Sequence, residues 1–249
     1  MRFDGRCVLV TGSGGGMGRS HALLFAERGA NVIVQDVRAE AVEETADMIR
    51  KNNGRVAVAV ADVSDVDAFR AAIAKAQAEL GPVDIIVNNA GYGGRTPHFE
   101  EIDEAEFDKI FAVNVKGTFF ATQAVVAGMK ERRFGRIVNI ASTFGIGGGP
   151  GLSGYSGTKG AILALTKTWA RELASFQINV NAVAPGLVIT DMTRDTFPPS
   201  VLPTRLLDIP LRRTGEPVEI SYAVAWLASD EAAFCTGQVI SPNGGEYIY

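Results

Sequence analysis

Short apolar runs alternating with helical stretches dominate this chain, and that rhythm leaves few folds open to it. The runs are CVLVT (7–11), NVIVQD (31–36), RVAVAVAD (55–62), VDIIVNN (83–89), RIVNIAS (136–142), INVNAVAP (178–185) and GQVIS (237–241). Several are continuously apolar rather than alternating, the pattern of strands covered on both faces. Between them lie periodic segments such as EAVEETADMIRKN and DAFRAAIAKAQAEL, acidic near the start and closed by basic residues or glycine, as helix ends favour. Strand, helix, strand repeated in this way specifies an α/β fold, with seven parallel strands, right-handed crossovers and helices on both faces. No linker or low-complexity stretch interrupts it, so a single domain is expected over 1–249. One segment departs from the rhythm. Between 187 and 217, prolines crowd DTFPPSVLPTRLLDIPLRRTGEP, yet apolar residues persist at Phe197, Val201, Leu202, Leu206 and Leu207. A long irregular insert that keeps apolar residues reads as a lid over a substrate.

The 249 residues are 47% hydrophobic with a formal net charge of −4, enough apolar mass for a sizeable core. Charges of both signs are interspersed, without the basic face a phosphate backbone needs, so no nucleic-acid partner is expected. No run approaches the roughly 18–20 apolar residues of a membrane span. The opening MRFDGRCVLVTGSGGGMG has four apolar residues between its charges and its glycines, too few for a secretory h-region. Cys7 lies in an apolar run, far in sequence from Cys235, and reads as a buried reduced thiol. His21, after a glycine loop, and His98, in a Pro-containing loop, cannot build a histidine-rich metal site. A cytoplasmic, metal-independent protein is expected.

The first run leads straight into TGSGGGMGRSHALLFAERG, with glycines at 12, 14, 15, 16 and 18. Such glycines let the backbone approach a ligand closely and turn sharply into a helix. The helix N-terminus then offers unpaired N–H groups and positive dipole character to a pyrophosphate. Asp36 closes the second run about 20 residues on, where a carboxylate accepts from adenosine ribose hydroxyls. That charge would repel a 2′-phosphate, and Val37 adds nothing positive, so NAD is expected over NADP. Arg38 leaves NADP as the alternative.

The spacing in TGSGGGMG is Thr-Gly-x3-Gly-x-Gly. Together with NNAG (88–91), YSGTK (155–159) and PGLVIT (185–190), it resembles the short-chain dehydrogenase/reductase family, and the resemblance spans the whole chain. It implies a Rossmann-type doubly wound sheet and a catalytic Ser-Tyr-Lys triad supported by Asn, matched by Ser142, Tyr155, Lys159 and Asn114. It also implies that Gly12, Ser13, Gly16, Met17 and Gly18 lie near the pyrophosphate, with Asp36 and Val37 at the ribose. Asp62 and Val63 would meet the adenine, and Asn89, Ala90 and Gly91 would flank the cofactor. Pro185, Gly186, Val188, Ile189 and Thr190 would line the nicotinamide side, with Ile189 or Thr190 holding its carboxamide. Tyr155 and Lys159 complete the cofactor set.

Oxidising a secondary alcohol means removing its O–H proton while hydride leaves the same carbon. A free tyrosine, with a pKa near 10, is a poor base at neutral pH. An ammonium group nearby and a positive nicotinamide both favour phenolate, and residues at i and i+4 share a helix face. Tyr155 and Lys159 are therefore spaced to couple. Ser142 would orient the substrate oxygen, and Asn114 would help position Lys159 through a water.

Three stretches are expected to shape the substrate side: 92–99, 143–153 and the lid. In TFGIGGGPGLS (143–153) successive glycines would remove bulk beside Ser142, while Phe144, Leu152, Met192 and Phe197 would form apolar walls. A hydrophobic or cyclic secondary alcohol, its ketone, or a hydroxyacyl thioester would suit such walls. NVNAVAPGLVITDMTR, WLASDEAAFCTGQ and NGG (243–245) read like 3-oxoacyl-thioester reductases. Members of that kind usually prefer NADP, against Asp36, and commonly carry a basic docking residue where this chain has Phe176. Arg133 does match a second such position. An NAD-dependent catabolic dehydrogenase is the first expectation and an NADP-dependent 3-oxoacyl-[acyl-carrier-protein] reductase the second. A non-catalytic NAD-binding regulatory or scaffolding subunit, and an isomerase or lyase without net redox, complete the alternatives. The resemblance also implies a homotetramer built on the helices carrying Asn114 and Tyr155.

Overall fold

The computed structural model describes residues 1–94, 99–196, 200 and 202–248; the expectations placed on His98, Phe197 and Val201 lie outside the described residues. Seven strands run in chain order: β1 (Cys7–Thr11), β2 (Asn31–Asp36), β3 (Val56–Val60), β4 (Ile85–Asn88), β5 (Gly135–Ile140), β6 (Ile178–Val183) and β7 (Val239–Ile240). They form one sheet in the order β3-β2-β1-β4-β5-β6-β7, and every pairing is parallel. β7 keeps only two of the five residues expected of it. It leaves Gly237 at φ +73° and ends before Pro242, which has no N–H to continue the ladder.

Alternate residues of each strand feed opposite cores, as the period of a pleated strand requires. Val8, Val10, Val32, Val34, Val87 and Ile140 pack against α1 (Gly16–Glu27), α2 (Ala39–Lys51) and α10 (Pro217–Ala228) through Phe25, Ile49 and Val224. Leu9, Ile33, Ile86, Ile137 and Val180 pack on the other face against α3 (Val66–Leu80), α5 (Thr118–Arg132) and α7 (Ser153–Leu173) through Phe69, Met129 and Trp169. Helix starts carry their own signals. Asp65 accepts from the Ala68 N–H at the head of α3. Asp103 does the same for Glu106 at the head of α4 (Glu104–Phe111). α10 opens with Pro217 inside a Glu216/Glu219 capping box.

Between α4 and α5 lies a π-helical turn, Ala112–Gly117. The helical run Glu104–Arg132 is, by length and composition alone, long and apolar enough to cross a membrane. No unbroken apolar run marks it in the sequence, because charges are interspersed along it. Ala121, Val125 and Met129 bury one side of it against the sheet, which makes it a core helix.

The strand order reverses between β1 and β4, since the chain first winds outward to β3 and then returns to the other side of β1. In open parallel sheets ligands bind at the carboxyl ends of the strands where the order reverses. Two short helices sit above that end, α8 (Asp191–Thr196) and α9 (Leu202–Leu207), in the segment expected to be irregular.

Candidate active site

The carboxyl ends of β1 and β4 are stitched together by side chains. Asn89 donates through Nδ2 to the carbonyls of Thr11 (2.9 Å) and Gly12 (3.1 Å). The Thr11 hydroxyl accepts from the backbone N–H groups of Asn89 and Ala90, each at 3.0 Å. Gly12 has φ +64°, and a β-carbon there would lie 2.8 Å from the Ala90 Cα. A β-carbon at Gly18 would lie 2.1 Å from the Gly12 carbonyl oxygen. Only glycine permits this packing of loop on helix. The first N–H groups of α1, a twelve-residue helix, therefore face an open groove.

That groove, about 530 Å³, is lined by Gly12, Gly15, Gly16, Met17 and Gly18, then by Gln35 to Arg38, Ala61 to Val63, and Asn89 to Gly94. Asp36 is 7% exposed, and its carboxylate accepts from the backbone N–H groups of Gly14 (2.9 Å) and Arg38 (3.0 Å). The Arg38 guanidinium reaches the same carboxylate at 3.4 Å. Arg19 is held instead by the Gly14 carbonyl (2.7 Å) and Glu44 (2.6 Å). Asp62 accepts from the N–H and hydroxyl of Ser64. A backbone cradle with no β-carbons, a helix N-terminus and a fixed carboxylate fit a dinucleotide.

A second cavity, about 110 Å³, continues from the groove; Met17, Asn89, Gly91, Gly93, Thr190 and Met192 line both. Ser142, Tyr155 and Lys159 sit in its wall. Ser142 ends the β5 segment and heads the short helix α6 (Thr143–Gly147), accepting from the Phe144 N–H at 3.2 Å. Tyr155 lies in the first turn of α7. Burial pushes its phenol up to about 12, against the downward pull of a hydrogen bond with Ser142. Lys159, 5% exposed, donates to the Ile140 carbonyl at 2.8 Å, and burial lowers its ammonium to about 8. Its Nζ lies 5.6 Å from the Tyr155 ring centroid. Desolvation of the phenolate dominates at Tyr155, and the downward pull on the phenol comes from the Ser142 hydrogen bond.

Asn114 is 1% exposed on the π-helical turn, which turns its amide toward α7. It accepts from the Tyr92 N–H (2.7 Å) and donates to the Tyr92 carbonyl and the Thr158 hydroxyl, both at 3.0 Å. A β-carbon at Gly91 would lie 3.6 Å from the Asn114 Oδ1 and 3.7 Å from the Lys159 Nζ, so both polar groups converge on that glycine.

The comparisons join this geometry to known proteins. Residues 6–200 match the family described as short chain dehydrogenase. The chain belongs to that family. The 3-oxoacyl-[acyl-carrier-protein] reductase of Thermotoga maritima is 40% identical over 248 residues, covering 100% of both chains. The (2S)-[(R)-hydroxy(phenyl)methyl]succinyl-CoA dehydrogenase subunit BbsD of Thauera aromatica is 40% identical over 249 residues, covering 100% of this chain and 99% of that one. Among solved structures, 7α-hydroxysteroid dehydrogenase complexed with NADH and 7-oxo glycochenodeoxycholic acid superposes with a TM-score of 0.94 at 33% identity, over 98% of this chain and 95% of that one. This short-chain dehydrogenase is an oxidoreductase acting on CH–OH and keto groups.

Within this short-chain dehydrogenase, the expected residues distribute unevenly. Gly12, Gly16, Met17, Gly18, Asp36, Val37, Asp62, Val63, Asn89, Ala90 and Gly91 line the groove. Ser142, Phe144, Leu152, Tyr155, Lys159, Pro185, Gly186 and Val188 line the cavity, and Thr190 and Met192 line both. Ser13 and Ile189 line neither. The Ser13 hydroxyl is turned inward, accepting from the Gln35 N–H at 2.8 Å. The glycines of 145–149 line neither cavity; a β-carbon at Gly145 would strike the Lys159 backbone, and one at Gly149 the Phe144 ring. Gly145 brings α6 onto α7 and Gly147 makes room for the Tyr247 ring, so the bulk they remove beside Ser142 opens space for protein neighbours. Gln35, which no motif marks, also lines the groove, accepting from the Gly12 N–H and donating to the Ala61 carbonyl. Gly93, Leu187, Thr193 and Arg205 in the cavity wall fall within the stretches expected to shape the substrate side, whereas Ile140, Ala141 and Glu246 lie outside them. Arg205 lies in the segment read for its apolar residues, and Glu246 directly follows NGG, so position in sequence pointed toward both.

Proposed function

We propose that this short-chain dehydrogenase uses NAD to interconvert a hydrophobic, cyclic or hydroxyacyl-thioester secondary alcohol and its ketone in catabolism. The observation that carries the reading is one continuous space with Asp36 at one end and Ser142, Tyr155 and Lys159 among apolar walls at the other. Bound cofactor supplies the hydride acceptor and, when oxidised, a positive ring. Tyr155 exchanges the hydroxyl proton, and Ser142 hydrogen-bonds the substrate oxygen. Lys159 supplies the nearby positive charge, with Asn114 as a positioning residue beside Gly91. A phenol held near 12 stays protonated at neutral pH, which suits proton donation during ketone reduction. Asp36 would accept from the ribose hydroxyls, and its charge stands against a 2′-phosphate. The hydroxysteroid dehydrogenase complexed with NADH supports both the cofactor and a polycyclic substrate. Residues 187–217 act as a lid over that substrate, and the chain works as one domain in a cytoplasmic homotetramer. The half-exposed Phe119, stacked edge-on against Trp169 at 5.6 Å, suits a subunit contact on α5 and α7, and sedimentation velocity tests it.

The likeness to the Thermotoga maritima enzyme favours a second reading, NADP-dependent reduction of a carrier-bound 3-oxoacyl group. Arg133, whose guanidinium donates to the Ser175 carbonyl, supports it; Asp36, and Phe176 capped by Lys130 at 4.7 Å, weigh against it. A panel of secondary alcohols and hydroxyacyl thioesters, each assayed with NAD and NADP, separates the two. NADP working much better than NAD would overturn the first reading, as would turnover of carrier-protein thioesters alone. In the same assays, Tyr155→Phe should lose roughly a thousandfold in kcat while NADH titration stays within about threefold of the wild type. Absence of turnover in the wild type, with NADH binding kept in Tyr155→Phe, would favour a binding subunit.

A further inference from the structure

One charged pair stands in the otherwise apolar part of the cavity wall. Arg205 and Glu246 line the cavity together with Phe144, Leu152, Leu187, Val188 and Met192. Arg205, on α9, donates to the Glu246 Oε1 at 2.5 Å, with its guanidinium 5.5 Å from the Phe144 ring centroid. Asp208 stands 4.0 Å from the same guanidinium. The Glu246 side chain is 11% exposed, and its second oxygen, Oε2, is buried with no hydrogen-bond partner among the described residues. That oxygen lies over the Pro185–Gly186 turn, where a β-carbon at Gly186 would come within 3.1 Å of it. The C-terminal turn holds the carboxylate there: the Glu246 N–H donates to the Asn243 carbonyl, and the Gly245 N–H to the Asn243 side chain.

A buried carboxylate oxygen without a donor is costly, and a ligand that brings one recovers that cost. The open valence is an acceptor. Arg205 is already flanked by two acids, so an anionic ligand would compete with Glu246 and Asp208 for it. A neutral donor would add no charge. The cavity, about 110 Å³, is of the order of the roughly 150 Å³ space that takes a benzene ring.

We propose that Glu246, braced by Arg205, is a specificity-determining residue that receives a second hydroxyl on a ring-sized apolar ketone or secondary alcohol. This deepens the dehydrogenase reading and rests on it for the chemistry at the other end of the ligand.

The test compares cyclohexanone with 3- and 4-hydroxycyclohexanone, and with 4-oxocyclohexanecarboxylate as the anionic arm. Reduction by NADH gives kcat/KM, and calorimetric binding without nucleotide, where neither reduction of the ketone nor oxidation of the hydroxyl can occur, gives affinity independently of turnover. The wild type should prefer at least one hydroxyketone over cyclohexanone by about tenfold or more, as a hydrogen bond to a charged group allows. In Glu246→Gln that preference should fall to roughly threefold or less, because the acceptor is neutral. The oxocarboxylate should gain about tenfold there, because Arg205 has lost its closest counter-charge. The wild-type comparison decides the matter even where the variant folds poorly. Equal binding of all the ketones, binding of none, or a preference that Glu246→Gln leaves untouched overturns the assignment. A binding preference lost in Glu246→Gln, without reduction of any ketone, keeps the assignment and overturns the dehydrogenase reading. Equal reduction of all the ketones does the reverse.

Discussion

The groove and the cavity share six lining residues, yet they are built by opposite means. The groove is mostly backbone: glycines without β-carbons, helix N–H groups, and carboxylates fixed by neighbouring N–H donors. The cavity is mostly side chains delivered from α6, α7, the turn after β6, α9 and the C-terminal turn. A backbone site tolerates little change at its glycines, because neighbouring backbone already fills the space a β-carbon would take. A side-chain site can be re-cut one residue at a time without disturbing the sheet beneath it. The first arrangement suits a ligand that never varies; the second suits one that does.

The sharpest way to break this contrast is at the groove. Gly18→Ala places a β-carbon 2.1 Å from the Gly12 carbonyl, and nucleotide affinity should fall roughly a hundredfold as loop and helix separate. Fluorescence titration with NADH measures it, and an unchanged affinity would remove the close-approach account. Asp36→Ser should raise the NADP-to-NAD ratio of kcat/KM by roughly tenfold to a hundredfold, leaving the KM for the ketone nearly alone. A comparable shift in ketone KM would show the two regions to be energetically one.

At the cavity, the lowered Lys159 gives a pH signature. Its ammonium, moved from 10.5 to about 8 by burial, is charged below that value and neutral above it. Ketone reduction should decline above about pH 8 by up to one decade per unit, and Lys159→Arg should move the decline upward, because guanidinium keeps its proton. A profile shared by both proteins would assign the break elsewhere.

The smallest effect lies away from both sites. His21, fully buried on α1 against Ser221 (2.7 Å), is lowered by burial from 6.5 to about 3. Its neutral form is the one that folds. Stability from this group is complete above pH 6.5 and is lost as pH falls toward about 3, by at most about 1.4 kcal/mol per pH unit for one proton. Denaturant titrations between pH 7 and 4 should show that slope reduced in His21→Asn, with the ratio of NADP to NAD turnover unaltered.

The same contrast explains what was legible in the sequence. The sheet and its two-sided burial show in runs such as CVLVT and VDIIVNN, because a strand covered on both faces must be apolar throughout. The groove shows because a close backbone approach is written as glycine, and its fixed carboxylate as an acid at a strand end. Ser13 fell outside the groove because a hydroxyl in such a loop bonds the backbone behind it as readily as a ligand ahead. The cavity was only half legible. Phe144, Leu152 and Met192 announced themselves as apolar residues near Ser142, but Arg205 and Glu246 meet across 41 positions. The glycines beside Ser142 misled for a related reason: missing side chains open space for a neighbour as well as for a ligand, and here α7 and the Phe144 ring take it.

The strand order also governs the chain's first seconds. β1 is made first but ends at the centre of the sheet, with Val8 paired to Val32 on one side and to Ile85 on the other. No other inner strand waits through so much chain for its second neighbour. A nascent chain stalled before Ile85 therefore carries Val8, Leu9 and Val10 on an open edge of unpaired N–H and carbonyl groups, which invites pairing with a stray strand. For this protein the hazardous interval of synthesis is set by the translation of α3, whose completion delivers the strand that closes the edge.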